Sequence, residues 1–134
     1  MRFDFNDIFS ITQPNEYNCR VQRYNMTDAQ SFMYVFVYPD SDLRNYFAIY
    51  FSFVRYYSGP MAWHGANFRL APYTDCVNLL RRITGFQEYP SEEEAKVSGL
   101  ISRDQHYKMY LSGSNELGVS IVALHAEILQ ADQL

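Results

Sequence analysis

Apolar and polar residues alternate with a period of two along most of the chain, a pattern typical of strands whose two faces differ in burial. Segments rich in Pro, Gly, Asn, Asp and Ser separate the alternating stretches and predict turns. We therefore predict strands over residues 17–24, 31–38, 46–57, 63–70, 105–111 and 117–129. The polar connection after residue 86 has Ser91 and Glu94 at the spacing of a capping box, and 97–101 forms a further candidate strand.

The predicted strands differ in how their faces divide between core and surface. Residues 31–38 are apolar on both faces, so we expect that strand to be central in its sheet. In the segment 46–57, we expect one face to be buried and the Tyr-rich face to be partly exposed. The face assigned to the core consists of Phe47, Ile49, Phe51 and Phe53. Gly65 indicates a bulge or a close backbone approach, and a change of apolar parity near Ile121 implies a bulge or burial on both faces.

One amphipathic helix is predicted at about residues 72–84. Pro72 suits a first helical turn, and Gly85 suits the left-handed position that follows a helix. Asp75 near the start and Arg81–Arg82 near the end match the helix dipole. The apolar stripe consists of Tyr73, Cys76, Val77, Leu80 and Ile83. We expect this stripe to pack on one face of the sheet.

These elements predict an α+β fold that is predominantly β. Short connections favour antiparallel pairing, and one helix is not enough to cover both faces of a parallel sheet. We expect a curved antiparallel sheet, or a partly open barrel or sandwich, of about six to seven strands with the helix on one face. Residues 1–134 are expected to form a single domain, with 1–16 as a lead-in segment and 130–134 as a polar tail. The apolar residues of the lead-in segment are expected to dock on the domain; they are Phe3, Phe5, Ile8, Phe9 and Ile11.

Composition and charge narrow the class of protein. Aromatic residues are abundant, with 12 Tyr, 10 Phe and 1 Trp, which fits pleated and half-buried surfaces. The net charge of −4 and the scattered basic residues argue against nucleic acid as a partner. The most hydrophobic run, 46–54, is too short to cross a membrane, so we expect a soluble, cytoplasmic protein. The cysteines Cys19 and Cys76 are far apart and are interpreted as buried thiols.

The titratable residues give no recognisable catalytic or metal-binding motif. His64, His106 and His125 lack the spacing of metal ligands, and no cofactor is predicted. Asp40 and Asp42 fit a solvated turn better than a calcium loop. An enzyme whose site is assembled from isolated residues such as His64, His106 and Asp40 is the least favoured alternative.

Tyr residues are the main candidates for a binding surface, because one core of this size has little room to satisfy so many buried hydroxyl groups. Trp63 and His64 form a second candidate, in which an exposed Trp would supply contact area. The competing interpretation makes Trp63 a strand-edge residue that covers the end of the core, with His64 in solvent. The candidate binding residues are Trp63, His64, Tyr46, Tyr50, Tyr56 and Tyr107.

The sequence therefore favours a non-catalytic domain that binds a protein partner, or a second copy of itself, through a Tyr-rich sheet face. One alternative is a small-molecule-binding β domain with an aromatic-lined pocket inside the curved sheet. Phe47, Phe51, Phe53 and Phe68 would leave no room for such a pocket if they fill the interior. Another alternative, based on size and charge alone, is a toxin-neutralising immunity-type protein.

Overall fold

A computed structural model describes residues 8–27, 30–42, 44–113 and 118–134. It has seven strands and two helices in these ranges, with a short 3-10 turn before the first strand and another after the last. The strands are β1 (Tyr17–Asn25), β2 (Phe32–Pro39), β3 (Phe47–Ser58), β4 (Ala62–His64), β5 (Arg69–Leu70), β6 (Lys108–Ser112) and β7 (Val119–Gln130). The helices are α1 (Tyr73–Leu80) and α2 (Glu92–Val97).

All seven strands belong to one antiparallel sheet in the order β4-β1-β2-β3-β7-β6-β5, which curls into a half-barrel. The predicted α+β, predominantly β class is confirmed. Strands β4 and β5 are consecutive in the chain but lie at opposite edges of the sheet. The few residues between His64 and Arg69 span at most roughly 17 Å when extended, so the two edges must curl toward each other.

The predicted strand over 63–70 is therefore wrong in one respect. It is two short strands, and the intervening residues 65–68 cross between the sheet edges. Gly65 has a φ of 99°, and its N–H donates to the carbonyl oxygen of Tyr17 over 2.8 Å. A glycine is favoured here because this φ is costly for residues with a Cβ. A Cβ at this position would meet no atom within 4 Å, so the positive φ, and not the close backbone approach that was one of the two predictions for Gly65, accounts for the glycine.

Aromatic and aliphatic side chains fill the interior of the half-barrel. Phe51 and Phe68 are fully buried, with ring centroids 6.4 Å apart. Trp63 is 8% exposed and packs edge-on against Phe68. Phe9 and Ile11 of the lead-in segment pack against the same cluster. The predicted docking of the earlier residues Phe3 and Phe5 lies outside the described residues.

The face assignment of β3 is wrong at Phe53. Its φ is 55°, and the side chain is 41% exposed, whereas the next residue, Val54, is buried in the core. The register with β7 shifts between Val54 and Tyr56, as expected for a bulge. The left-handed conformation of Phe53 moves the next inward-facing position of β3 from residue 53 to Val54. The facing strand β7 changes at the same place: Val119, Ile121 and Ala123 point inward, followed by Ala126 and Ile128.

Helix α1 packs on the outer face of the sheet. Cys76 and Leu80 contact Val122, which points outward between two inward-facing neighbours on β7. The helix ends at Leu80, earlier than predicted, because the N–H groups of Arg82 and Ile83 bond three residues back and tighten the chain into turns. The predicted packing of this stripe on one face of the sheet is confirmed. However, α1 covers only one end of the outer face, which is formed by β6 and the adjoining parts of β3 and β7.

The connection 86–98 contains α2, and both partners of its predicted capping box are present. The Ser91 hydroxyl accepts from the backbone N–H of Glu94, and the Glu94 carboxylate accepts from the N–H of Ser91. The strand predicted over 97–101 is wrong. Val97 belongs to the capped helix and is 88% exposed, and the following residues form successive turns.

Candidate functional site: an open aromatic face

The part of the outer face that α1 leaves uncovered carries a continuous group of aromatic rings. It extends over β1, β2, the first half of β3 and the last half of β7. We call it the open aromatic face and define it by Arg20, Arg23, Phe32, Tyr34, Phe36, Tyr38, Tyr46, Tyr50 and Glu127. The six rings are half-buried and belong to neither of the two clusters of buried side chains.

The alternation of β2 creates this face. Met33, Val35 and Val37 are buried in the half-barrel, so the residues between them must point outward. These outward residues are Phe32, Tyr34, Phe36 and Tyr38. Strand β2 is central, as predicted, since β1 and β3 flank it. Its second face is nevertheless only partly buried, because α1 packs elsewhere.

The rings contact one another along β2 and across to β3 and the residue before it. Tyr34 and Tyr50 are directly opposite in the register of β2 and β3, and their ring centroids are 4.8 Å apart. Phe32 packs against Tyr34 at 5.8 Å, edge to face. Phe36 and Tyr46 stack at 5.6 Å with an interplanar angle of 25°. Such contacts hold the rings in fixed positions, so a partner would meet a preorganised surface.

Charged side chains border the rings on two sides. The guanidinium carbon of Arg23 lies 4.5 Å from the centroid of the Tyr34 ring and 5.8 Å from that of Phe36. Stacking occupies the flat side of the guanidinium and leaves its N–H donors available at the rim. On the other side, Glu127 of β7 is exposed. Within the described chain, neither Arg23 nor Glu127 has an ion pair.

A shallow depression of about 400 Å³ lies at one end of the open aromatic face. Its lining residues are Arg20, Gln22, Phe36, Tyr38 and Tyr46. A second depression of about 360 Å³ lies at the other end, where Phe32, Tyr34, Tyr50 and Phe53 contribute to the lining. The concave parts of this surface therefore lie outside the half-barrel, on the same face as the rings.

The structure separates the six candidate binding residues into distinct environments. Tyr46 and Tyr50 belong to the open aromatic face. Tyr56 and Tyr107 pack beneath α1 with its apolar stripe. Trp63 lies in the core, and the indole N–H donates to the hydroxyl of Ser112. This position agrees with the interpretation in which Trp63 covers the end of the core rather than forming an exposed recognition point.

His64 lies at the β4 edge of the sheet, close to the end of β2. Its Nδ1 is 3.0 Å from the side-chain oxygen of Asn18 and 3.7 Å from a carboxylate oxygen of Asp40. Asn18 also donates its amide to Asp40. The imidazole and the carboxylate are both more than half exposed, at 56% and 52%. Water competes for these contacts, which makes the cluster a weak electrostatic link rather than a buried catalytic pair.

His106 lies apart from His64, beneath α1. Burial is the largest cause that lowers the pKa of His106, and the nearby Lys108 ammonium lowers it further. The ring packs against Tyr73, with centroids 5.7 Å apart. The thiol of Cys76 donates to the carbonyl oxygen of Tyr107, and burial raises its pKa to about 12. A thiol that stays protonated at neutral pH is a poor nucleophile.

Only Tyr46 and Tyr50 of the open aromatic face were among the six candidate binding residues. The residues that were absent are Arg20, Arg23, Phe32, Tyr34, Phe36, Tyr38 and Glu127. One signal for the rings was present in β2, where aromatic residues alternate strictly with Met33, Val35 and Val37. This alternation places the aromatic residues on one face of the strand, but it does not decide which face points outward. No comparable local signal exists for Arg23 and Glu127, because they become neighbours of the rings only through strand pairing.

The chain matches no protein-family model, no curated protein and no solved structure in the comparisons with known proteins. Within the described ranges, no helix is long and apolar enough to cross a membrane. In the same ranges, no three His, Cys, Asp or Glu side chains come together as a metal ion would require.

Proposed function

We propose that this protein is a non-catalytic binding domain that contacts another protein chain through the open aromatic face. The observation that carries the proposal is the set of six half-exposed rings, which no described part of the chain covers. Tyr and other aromatic residues are enriched in protein interfaces, because they supply large contact areas at a small cost in conformational entropy. Arg23 adds hydrogen-bond donors at the border of these rings.

The filled interior favours this proposal over a ligand pocket inside the sheet. Phe51 and Phe68 occupy the middle of the half-barrel together with Trp63 and Tyr110. A small molecule would therefore have to bind in the open depressions of the outer face, where it would be less enclosed than in a typical ligand site.

The proposal is tested by quantitative pull-down from native extract with a variant that removes two central rings, Tyr34→Ala with Tyr50→Ala. The matched control is Val97→Ser, which removes a side chain that is 88% exposed on α2, away from the face. A protein enriched by the wild type and by the control, and lost with the double variant, supports the proposal. Equal enrichment by all three proteins would overturn it, provided that circular dichroism confirms folding of the variants.

A further inference from the structure

The open aromatic face has charges arranged so that it complements itself. One row across the strands contains Arg23, Tyr34, Tyr50 and Glu127, in that order, on β1, β2, β3 and β7. The arginine and the carboxylate are therefore equally far, counted in strands, from the middle of the row. That middle lies between Tyr34 and Tyr50.

A two-fold axis parallel to the strands, passing through that middle, exchanges the two ends of the row. With two copies face to face, Arg23 of each copy would lie opposite the partner's Glu127, and Tyr34 would lie opposite the partner's Tyr50. Such an isologous arrangement forms every contact twice. We propose that the occupant of the open aromatic face is a second copy of this chain, packed sheet on sheet in this way; the proposal rests on the binding role of the face given above.

The neighbouring row adds an apolar contact at the border of the face. It contains Arg20, Phe36, Ala48 and Leu129 in the same strand order. Ala48 is fully buried by its own chain, so the other three side chains form the surface of this row. The two-fold axis sets the aliphatic stem of Arg20 opposite Leu129 of the second copy, where it can pack while its guanidinium stays in solvent.

The area of the face indicates how strongly two copies would associate. Four strands spaced by ~4.8 Å and seven residues at ~3.4 Å give a footprint of roughly 450 Å². A standard specific interface buries about 800 Å² on each partner. The contact is thus small, and we expect a dimer that dissociates on dilution rather than an obligate one. Salt should weaken it, because the ion pairs lie at the border of the contact.

The test uses charge reversal and mixing, with sedimentation velocity over a wide range of protein concentration. The wild type should show a concentration-dependent dimer. Arg23→Glu and Glu127→Arg should each weaken self-association by about tenfold or more, because each change creates two like-charge contacts in a symmetric dimer. A mixture of the two variants should recover association, since both contacts then join opposite charges. Arg82→Glu and Glu88→Arg, which change exposed residues on the helix side, serve as matched controls.

Each outcome decides the proposal. A wild type that is monomeric at every concentration would overturn self-association, as would a dimer for which mixing gives no recovery. If another protein is nevertheless captured in a manner that depends on Tyr34 and Tyr50, the binding role of the face stands and only its occupant is wrong. Binding of a single-stranded oligonucleotide that is lost with the same substitutions would overturn both proposals, because aromatic rings and arginines also stack on bases.

Discussion

Trp63 on β4 and Ser112 on β6 join the two sides of the half-barrel through a buried hydrogen bond. The indole Nε1–H donates to the Ser112 hydroxyl oxygen over 3.1 Å. Trp63 is 8% exposed and Ser112 only 1%. Because β4 is one edge of the sheet and β6 adjoins the other edge, this contact helps to hold the sheet in its curled form.

Removing the acceptor should destabilise the fold. In Ser112→Ala the buried indole N–H loses its partner, and we expect the free energy of unfolding to fall by about 1–3 kcal/mol. Urea titration followed by far-UV circular dichroism measures the change, because the only tryptophan of the chain is itself replaced in the comparison that follows. The double variant Trp63→Phe with Ser112→Ala should lose less than the sum of the single losses, since neither buried group is then left unpaired. Additive losses would contradict this account of the bond.

Both cysteines should resist modification in the folded protein. Cys19 and Cys76 are buried, and burial raises the pKa of both thiols, that of Cys76 to about 12. The thiolate is the reactive form, so we expect little reaction with a disulfide reagent near neutral pH. Denaturant should make both thiols react rapidly. Fast reaction of one equivalent in the folded protein would show that a cysteine site opens or is more exposed than the structure indicates.

The stability of the protein should depend on His106 in mildly acidic solution. Burial lowers the pKa of His106 in the folded state, so below the unfolded value of about 6.5 the unfolded chain binds more protons. The free energy of unfolding should therefore decrease as the pH falls from about 7 to about 5. The Asp104 carboxylate partly opposes the shift, and its own pKa is lowered mainly by the hydrogen bond from Lys108, so its contribution is lost only at lower pH.

Replacing His106 tests this dependence directly. His106→Gln should flatten the slope of unfolding free energy against pH in that window. His64→Gln removes an exposed imidazole and is the matched control. Equal slopes for His106→Gln and the wild type would mean that His106 takes up its proton without cost in the folded state.

Phe53 should illustrate a trade-off between stability and binding. Its left-handed backbone conformation costs an ordinary residue roughly 1–2 kcal/mol, and its ring is only partly buried, at 41% exposed. Phe53→Asn should therefore raise the midpoint of thermal unfolding, because Asn tolerates this conformation better. The same change removes a ring from the lining beside Tyr34 and Tyr50, so partner binding should weaken. A lower midpoint would show that the Phe53 ring stabilises the fold.

Local patterns predicted most of the elements. The alternation in 17–24, 31–38, 46–57 and 117–129 corresponds to β1, β2, β3 and β7 within a few residues at each end. The Ser91–Glu94 spacing predicted the capping box of α2. These features depend on neighbours in sequence, which is why sequence alone was sufficient. The Ser-Gly-Ser-Asn segment at 112–115 is typical of a hairpin loop. Part of it lies outside the described residues, and Ser112 itself pairs with Val119 at the end of β6.

The predictions are wrong where contacts between residues far apart in sequence decide the backbone conformation. Nothing local in 63–70 distinguishes one strand from two; the split arises because β4 pairs with β1 whereas β5 pairs with β6. The inward alternation of β3 fails at Phe53, whose N–H donates to the carbonyl oxygen of Ser31. This hydrogen bond joins residues far apart in sequence, so the alternation of apolar and polar residues along β3 does not reveal it.

The sequence by itself determined that this chain forms an antiparallel, aromatic-rich sheet with a helix against one face, because strand and helix periodicity are local properties of the chain. It also predicted that tyrosines would remain partly outside the core. Only the tertiary structure decided which ones do. Tyr56 and Tyr107 lie beneath α1, whereas Tyr34 and Tyr50 stay open between Arg23 and Glu127. That division depends on strand order and on where one short helix packs, both of which are set by contacts between residues far apart in sequence.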